Sequence, residues 1–240
     1  MEEKKLDKSS LIGMAIITVL LFWMMSGAMF SDDKKDDKTK ETTKTETVAN
    51  TSIDQLAANA ENDTVANAKL KNQLGSFAYG ASLPSVVGAE DIKVDNGVLT
   101  VVFSSKGGYI KEVTVNDQKR ISSKNDDLVK IIANNNSKLD LKFTTKDNRL
   151  LNTKDLLFEP TSTKEGDNTV VSMKLKTSET AYLEYRYVLK PNKYMLDLSI
   201  KSVGLSSVLN TAAPAELTWQ LKATRNEKSI TYENRYAEIV

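Results

Sequence analysis

The chain has 240 residues, with 33 Lys+Arg against 32 Asp+Glu, and it contains neither Cys nor His. A formal net charge of +1 speaks against nucleic-acid binding, which calls for a basic excess or a clustered basic face. Without imidazole or thiolate the usual zinc, copper and iron sites, Cys nucleophiles, Ser-His-Asp triads, disulfides and a lipidated N-terminal Cys are all excluded, leaving carboxylate, Lys, Tyr or Ser–Lys chemistry.

Leu11 to Phe30 reads LIGMAIITVLLFWMMSGAMF and carries no charge. A helix of this length spans about 30 Å, the thickness of the hydrocarbon core of a bilayer. Ser26-Gly27-Ala28 also fits a signal-peptidase site. The apolar run exceeds the usual signal-peptide core, and Met1 to Ser10 balances three Lys against Glu2, Glu3 and Asp7, so a retained transmembrane helix is the preferred reading. Charge leaves the orientation open. Lys34, Lys35, Lys38, Lys40 and Lys44 follow the span, interleaved with Asp32, Asp33, Asp36 and Asp37.

Residues 31–51 form a charged linker with too few apolar side chains to offset the cost of ordering the chain, and disorder is expected. From Ser52 to Gly75 the spacing turns helical. Ile53, Leu56, Ala60, Ala66, Leu70 and Leu74 fall on one thin stripe, with Ser52 or Thr51 able to cap its start and Gly75 its end. Phe77, Tyr79 and Leu83 then mark an irregular segment docked on the domain that follows.

From about Glu90 the period becomes two. Leu99, Val101 and Phe103 alternate with polar or smaller neighbours, as do Val171, Met173 and Leu175, then Leu183, Tyr185, Tyr187 and Leu189, then Tyr194, Leu196, Leu198 and Ile200, and finally Leu217, Trp219 and Leu221. This is the pattern of half-buried antiparallel strands. Asp95-Asn96-Gly97, Lys106-Gly107-Gly108, Asn134-Asn135-Asn136, Glu165 to Asn168 and Lys190 to Lys193 supply the turns. The fold class is therefore mainly β, an antiparallel sandwich of nine or ten strands. Trp219, in register with Leu217 and Leu221, is expected in the core, and Tyr182, Tyr185, Tyr187 and Tyr194 in the interior or packed at an edge.

Candidate chemistry is sparse. Ser105-Lys106 and Ser123-Lys124 are adjacent pairs, and strand neighbours point to opposite faces, so both read as turn and surface residues. Glu184 with Arg186, and Asp197 with Lys201, share strand faces where solvated charges are ordinary. Three glycosylation sequons, at Asn50, Asn62 and Asn135, carry no weight in an Asn- and Thr-rich chain. No residue is assigned a catalytic, cofactor-binding or metal-binding role. The polar ending Arg225 to Tyr236 leads to a chain end at Val240 that reads as a strand cut short, so a fragment or truncated gene product is expected.

Four segments carry a resemblance. They are Leu6 to Gly13; Gly75-Ser76-Phe77-Ala78-Tyr79-Gly80-Ala81-Ser82-Leu83-Pro84; Asn96 to Ile110, which includes Lys106-Gly107-Gly108; and Leu217-Thr218-Trp219 with Glu233-Asn234-Arg235-Tyr236. Together they resemble the N-terminal third of the YidC/Oxa/Alb family of membrane protein insertases, in its Bacteroidetes-type form. The resemblance implies a cytoplasmic tail (1–10), a retained span (11–30), a linker (31–51), a docked helical segment (52–89) and a periplasmic β-supersandwich (90–240). It also implies inner-membrane localisation, a role in protein transport as a membrane-bound chaperone, no enzyme activity and no cofactor. The implied partners are the Sec translocon and its accessory proteins, nascent membrane proteins and the lipid bilayer. The family's five C-terminal spans and functional Arg have no counterpart after Phe30, so insertion itself is not expected of this chain. The alternative is a membrane-anchored envelope carbohydrate-binding sandwich. The related mutarotase fold needs a His that is absent here.

Overall fold

The computed structural model describes residues 52–60, 62–120, 127–226 and 228–236. All lie in one compact unit, Val48–Val240. The predicted span, its tail, the whole linker and Ser123-Lys124 lie outside the described residues. Among the described residues no helix is long and apolar enough to cross a membrane.

The expected single helix is two. α1 (Ile53–Asn59) is capped by Ser52, whose side chain accepts from the Gln55 N–H. α2 (Thr64–Leu74) starts afresh at Asp63, whose carboxylate accepts from Val65 N at 2.8 Å. A strong N-cap in mid-stripe breaks the helix because it satisfies the new helix's orphan N–H groups. The apolar stripe survives the break, with Leu56, Ala60, Ala66, Leu70 and Leu74 all buried. A 3₁₀ turn (Gly75–Phe77) and the short helix α3 (Ala78–Ala81) follow, so the first part of the segment expected to be irregular is helical, while residues 82–91 are turns and irregular chain.

Among the described residues eleven antiparallel strands form three sheets. Sheet I joins β1 (Ile92–Asp95), β2 (Leu99–Phe103), β3 (Ile110–Lys119) and β4 (Leu128–Ile132) in sequence order. Sheet II runs β10 (Leu196–Val203), β9 (Tyr182–Leu189), β8 (Asn168–Lys176), β7 (Glu159–Glu165). Sheet III runs β11 (Glu216–Leu221), β5 (Ser137–Thr144), β6 (Leu150–Asn152). The predicted alternation on β2, β8 and β9 is observed residue by residue as buried and half-buried positions. Sheet II packs its aromatic face on the opposing layer. The Phe103–Tyr187 ring centroids are 4.8 Å apart and those of Phe158–Tyr185 are 5.3 Å apart.

The helical segment shares this core. Phe77 is fully buried and meets Phe143 of β5 edge-on at 5.5 Å. Gly80 lies so close to β8 that a Cβ there would sit 2.5 Å from the Lys176 carbonyl oxygen. Its φ is not in the left-handed region, so close approach alone requires the glycine.

One expectation fails at the periphery. Cross-strand pairing sets Trp219 opposite Leu139 and Leu217 opposite Leu141, the side of the sheet that faces the core. The register expectation is therefore met. Yet Trp219 is 73% exposed, because among the described residues nothing packs over this edge of sheet III. Leu198 on β10, opposite the buried Tyr187, is uncovered in the same way. The polar tail is helical over α4 (Ile230–Tyr236), where Ser229 O accepts the first helical bond from Glu233 N, and the chain end at Val240, read as a strand cut short, lies outside the described residues.

Gly80→Ala is expected to lift α3 from β8 and destabilise the domain by about 1–3 kcal/mol, an overpacking cost. Urea denaturation measures it. Gly88→Ala, where a Cβ would meet open space but a φ of +72° is retained, separates backbone strain from collision.

Candidate functional site

The residues that carry the family resemblance build the fold. Gly107 and Gly108 both adopt positive φ, of 82° and 66°. A Cβ on Gly108 would press on the Phe158 ring at 3.1 Å. The turn they form exposes the Gly108 carbonyl to the core, where the buried Tyr187 hydroxyl donates to it at 2.8 Å. Tyr185 donates to Thr153 Oγ1 at 3.0 Å. Burial drives the Tyr185 pKa up to about 12 and raises that of Tyr187 further, so both stay protonated donors. Lys106 is ion-paired with Asp54 of α1, while Ser105 donates to Ala89 O at 3.0 Å. The two side chains thus have separate structural partners and form no dyad.

The outward charges are also accounted for. Glu184 accepts from Ser172 at 2.5 Å, Arg186 pairs with Glu165 at 2.5 Å, and Asp197 pairs with Lys190 at 2.9 Å. Among the described residues no group of three or more Asp or Glu is placed to hold a metal ion. Tyr182 takes the Lys174 ammonium over its ring at 4.7 Å. Tyr194 is exposed and donates to Asp117 at 2.7 Å, an edge contact.

A polar cluster latches α3 to sheet II. Lys176 Nζ lies 2.7 Å from Glu159, with both side chains less than a fifth exposed. Ser85 donates to the same carboxylate at 2.7 Å, and the Tyr79 hydroxyl donates to Glu179, which lies beside Lys176. Burial works to raise the Glu159 pKa, but the hydrogen bonds from Lys176 and Ser85 outweigh it and hold the carboxyl below its ordinary value. The hydrogen bond to Glu159 raises that of Lys176 against the desolvation that opposes it.

A cleft of about 910 Å³ lies at the seam of sheets I and III. β3 and β4 form one wall and the chain after β11, Lys222 to Asn226, the other. The turn Ala133 to Asn136 joins them, with Asn136 donating both to Ile131 O and to Lys222 O at 3.0 Å. Arg120, Lys130 and Lys222 line it against a single carboxylate, Asp127. No aromatic side chain is in the lining, so the exposed Trp219 is not part of a sugar-stacking cleft. The sequence reading took the Asn run for a turn and missed the cleft, because its cations are scattered across about a hundred residues.

With this geometry in hand the family relationship is clear. Residues 91–239 match the model of the YidC periplasmic domain, and the chain belongs to that family. It is similar to the membrane protein insertase YidC of Porphyromonas gingivalis (strain ATCC 33277), at 30% identity over 98% of this chain and 37% of that protein. It is similar also to that of Parabacteroides distasonis, at 31% over 74% of this chain and 27% of that protein, and to that of Cytophaga hutchinsonii, at 26% over 98% and 35%. The chain thus spans little more than a third of these relatives. No solved structure matches it.

The Glu159–Lys176 pair sets a pH window. A depressed Glu159 contributes stability above its ordinary value of 4.5, lost as pH falls through the folded pKa. A raised Lys176 contributes below 10.5, lost as pH rises through its folded pKa. Glu159→Gln is expected to lower stability at neutral pH by about 1.5–3 kcal/mol, the worth of hydrogen bonds to charged groups. Denaturation midpoints measured from pH 3 to 8 should converge with the parent at the acid end.

Proposed function

We propose that this chain is the membrane anchor and periplasmic part of an inner-membrane protein insertase, and that it assists insertion and folding by contact, without bond-making chemistry. The observation that carries this reading is the family match over residues 91–239. The uncharged run Leu11 to Phe30 supports an anchor, with residues 1–10 on the cytoplasmic side, residues 31–51 as a tether and the sandwich, in the family's supersandwich form, in the periplasm. Its partners are Sec components and nascent membrane proteins, in keeping with the relatives being membrane protein insertases. No cofactor enters the proposal. A carbohydrate-binding role is not favoured, since the cleft has no aromatic platform.

Photo-crosslinking residues placed at Leu217 and Leu198, on the uncovered sheet faces, test this in intact cells. Adducts with Sec subunits or newly made membrane proteins are expected, together with protease sensitivity of residues 52–236 only after the outer membrane is opened. Absence of adducts from both faces, or a domain protected in spheroplasts, would overturn it.

A further inference from the structure

The seam cleft has a composition that selects one class of ligand. Three cations face one carboxylate in its lining. Lys130 is held by Glu112 at 2.9 Å. Lys222 has no ion-pair partner among the described residues, and Arg120 donates to the Arg225 carbonyl oxygen at 3.0 Å, an uncharged acceptor. A guanidinium and an ammonium with no ion-pair partner among the described residues recognise carboxylates, and the Arg fork does so in two-point geometry.

The second feature is the turn. Asn134 and Asn135 have φ of 53° and 59°, a left-handed conformation that Asn tolerates well. Their side-chain amides line the cleft and make no hydrogen bond among the described residues. An amide offers both donors and an acceptor, which suits the N–H and C=O groups of a peptide. Thr224 adds a hydroxyl to the same wall.

The lining also excludes competitors. Stacking of sugars or bases needs aromatic faces, and there are none. Leu128 and Ala133 are its only apolar members, too few for an acyl chain or the apolar face of a helix. The volume of about 910 Å³ is ample for a short extended segment. We infer that this cleft is a binding site for an extended acidic peptide, its carboxylates held by Arg120 and Lys222 and its backbone by the Asn134-Asn135 turn. The inference stands on the chemistry of the cleft and does not depend on the insertase reading.

The full chain in zwitterionic nanodiscs would be titrated into a fluorescein-labelled peptide of alternating Glu and Ser. Saturable binding that weakens with added salt is expected, with a loss of about tenfold or more in the double variant Arg120→Glu, Lys222→Glu. Lys201→Glu, on β10 and outside the lining, should leave it unchanged. If the double variant does not fold, Lys222→Gln, at an exposed and unpaired position, should still weaken binding severalfold. Equal affinity for a Lys/Ser peptide, an equal loss in Lys201→Glu, no loss in Lys222→Gln, or preference for an oligosaccharide, an oligonucleotide or anionic nanodiscs would overturn the proposal.

Discussion

Sheet II contributes two tyrosines whose rings fill the core and whose hydroxyls are buried with them. A buried hydroxyl without a partner costs about 1–3 kcal/mol, so each must reach an acceptor in the opposing layer. Tyr187 reaches the Gly108 carbonyl and Tyr185 reaches Thr153. These two bonds, together with the ring contacts to Phe103 and Phe158, fix how sheet II sits on the other layer. The Lys106-Gly107-Gly108 turn follows from this. Two glycines are needed because the backbone there must take positive φ and pass against an aromatic ring. A motif that looks like a signature of activity is thus a requirement of packing.

Function by contact fits the rest of the molecule. Arg186 and Asp197 on the strand faces are paired with neighbours, and the two most perturbed hydroxyls are inaccessible. What the surface offers is shape and charge: a cationic seam between sheets I and III, and the uncovered inner faces of β10 and β11.

The sequence was most legible where one face of a strand is buried and the other is wet. β8 and β9 could be read almost residue by residue. β7, with sequence EPTSTKE, could not, because it is an edge strand whose outer residues are solvated on both faces and whose Pro160 an edge position tolerates. The helix break at Asp63 was hidden by a stripe that continues across it. Trp219 shows a different limit. Alternation tells which side of a sheet a residue occupies, but whether another layer covers that side depends on segments far away in the chain. The cleft was illegible for the same reason, since Arg120, Lys130 and Lys222 meet only through the tertiary fold.

The union of the helical segment with the sandwich has a further consequence. The match to the periplasmic-domain model begins at residue 91, whereas the buried core also includes side chains of the helices before it. Phe77, Leu70 and Leu74 are interior to the same cluster as Phe143 and Met173. A domain excised at residue 91 would have its roof removed, with an aromatic floor turned to water.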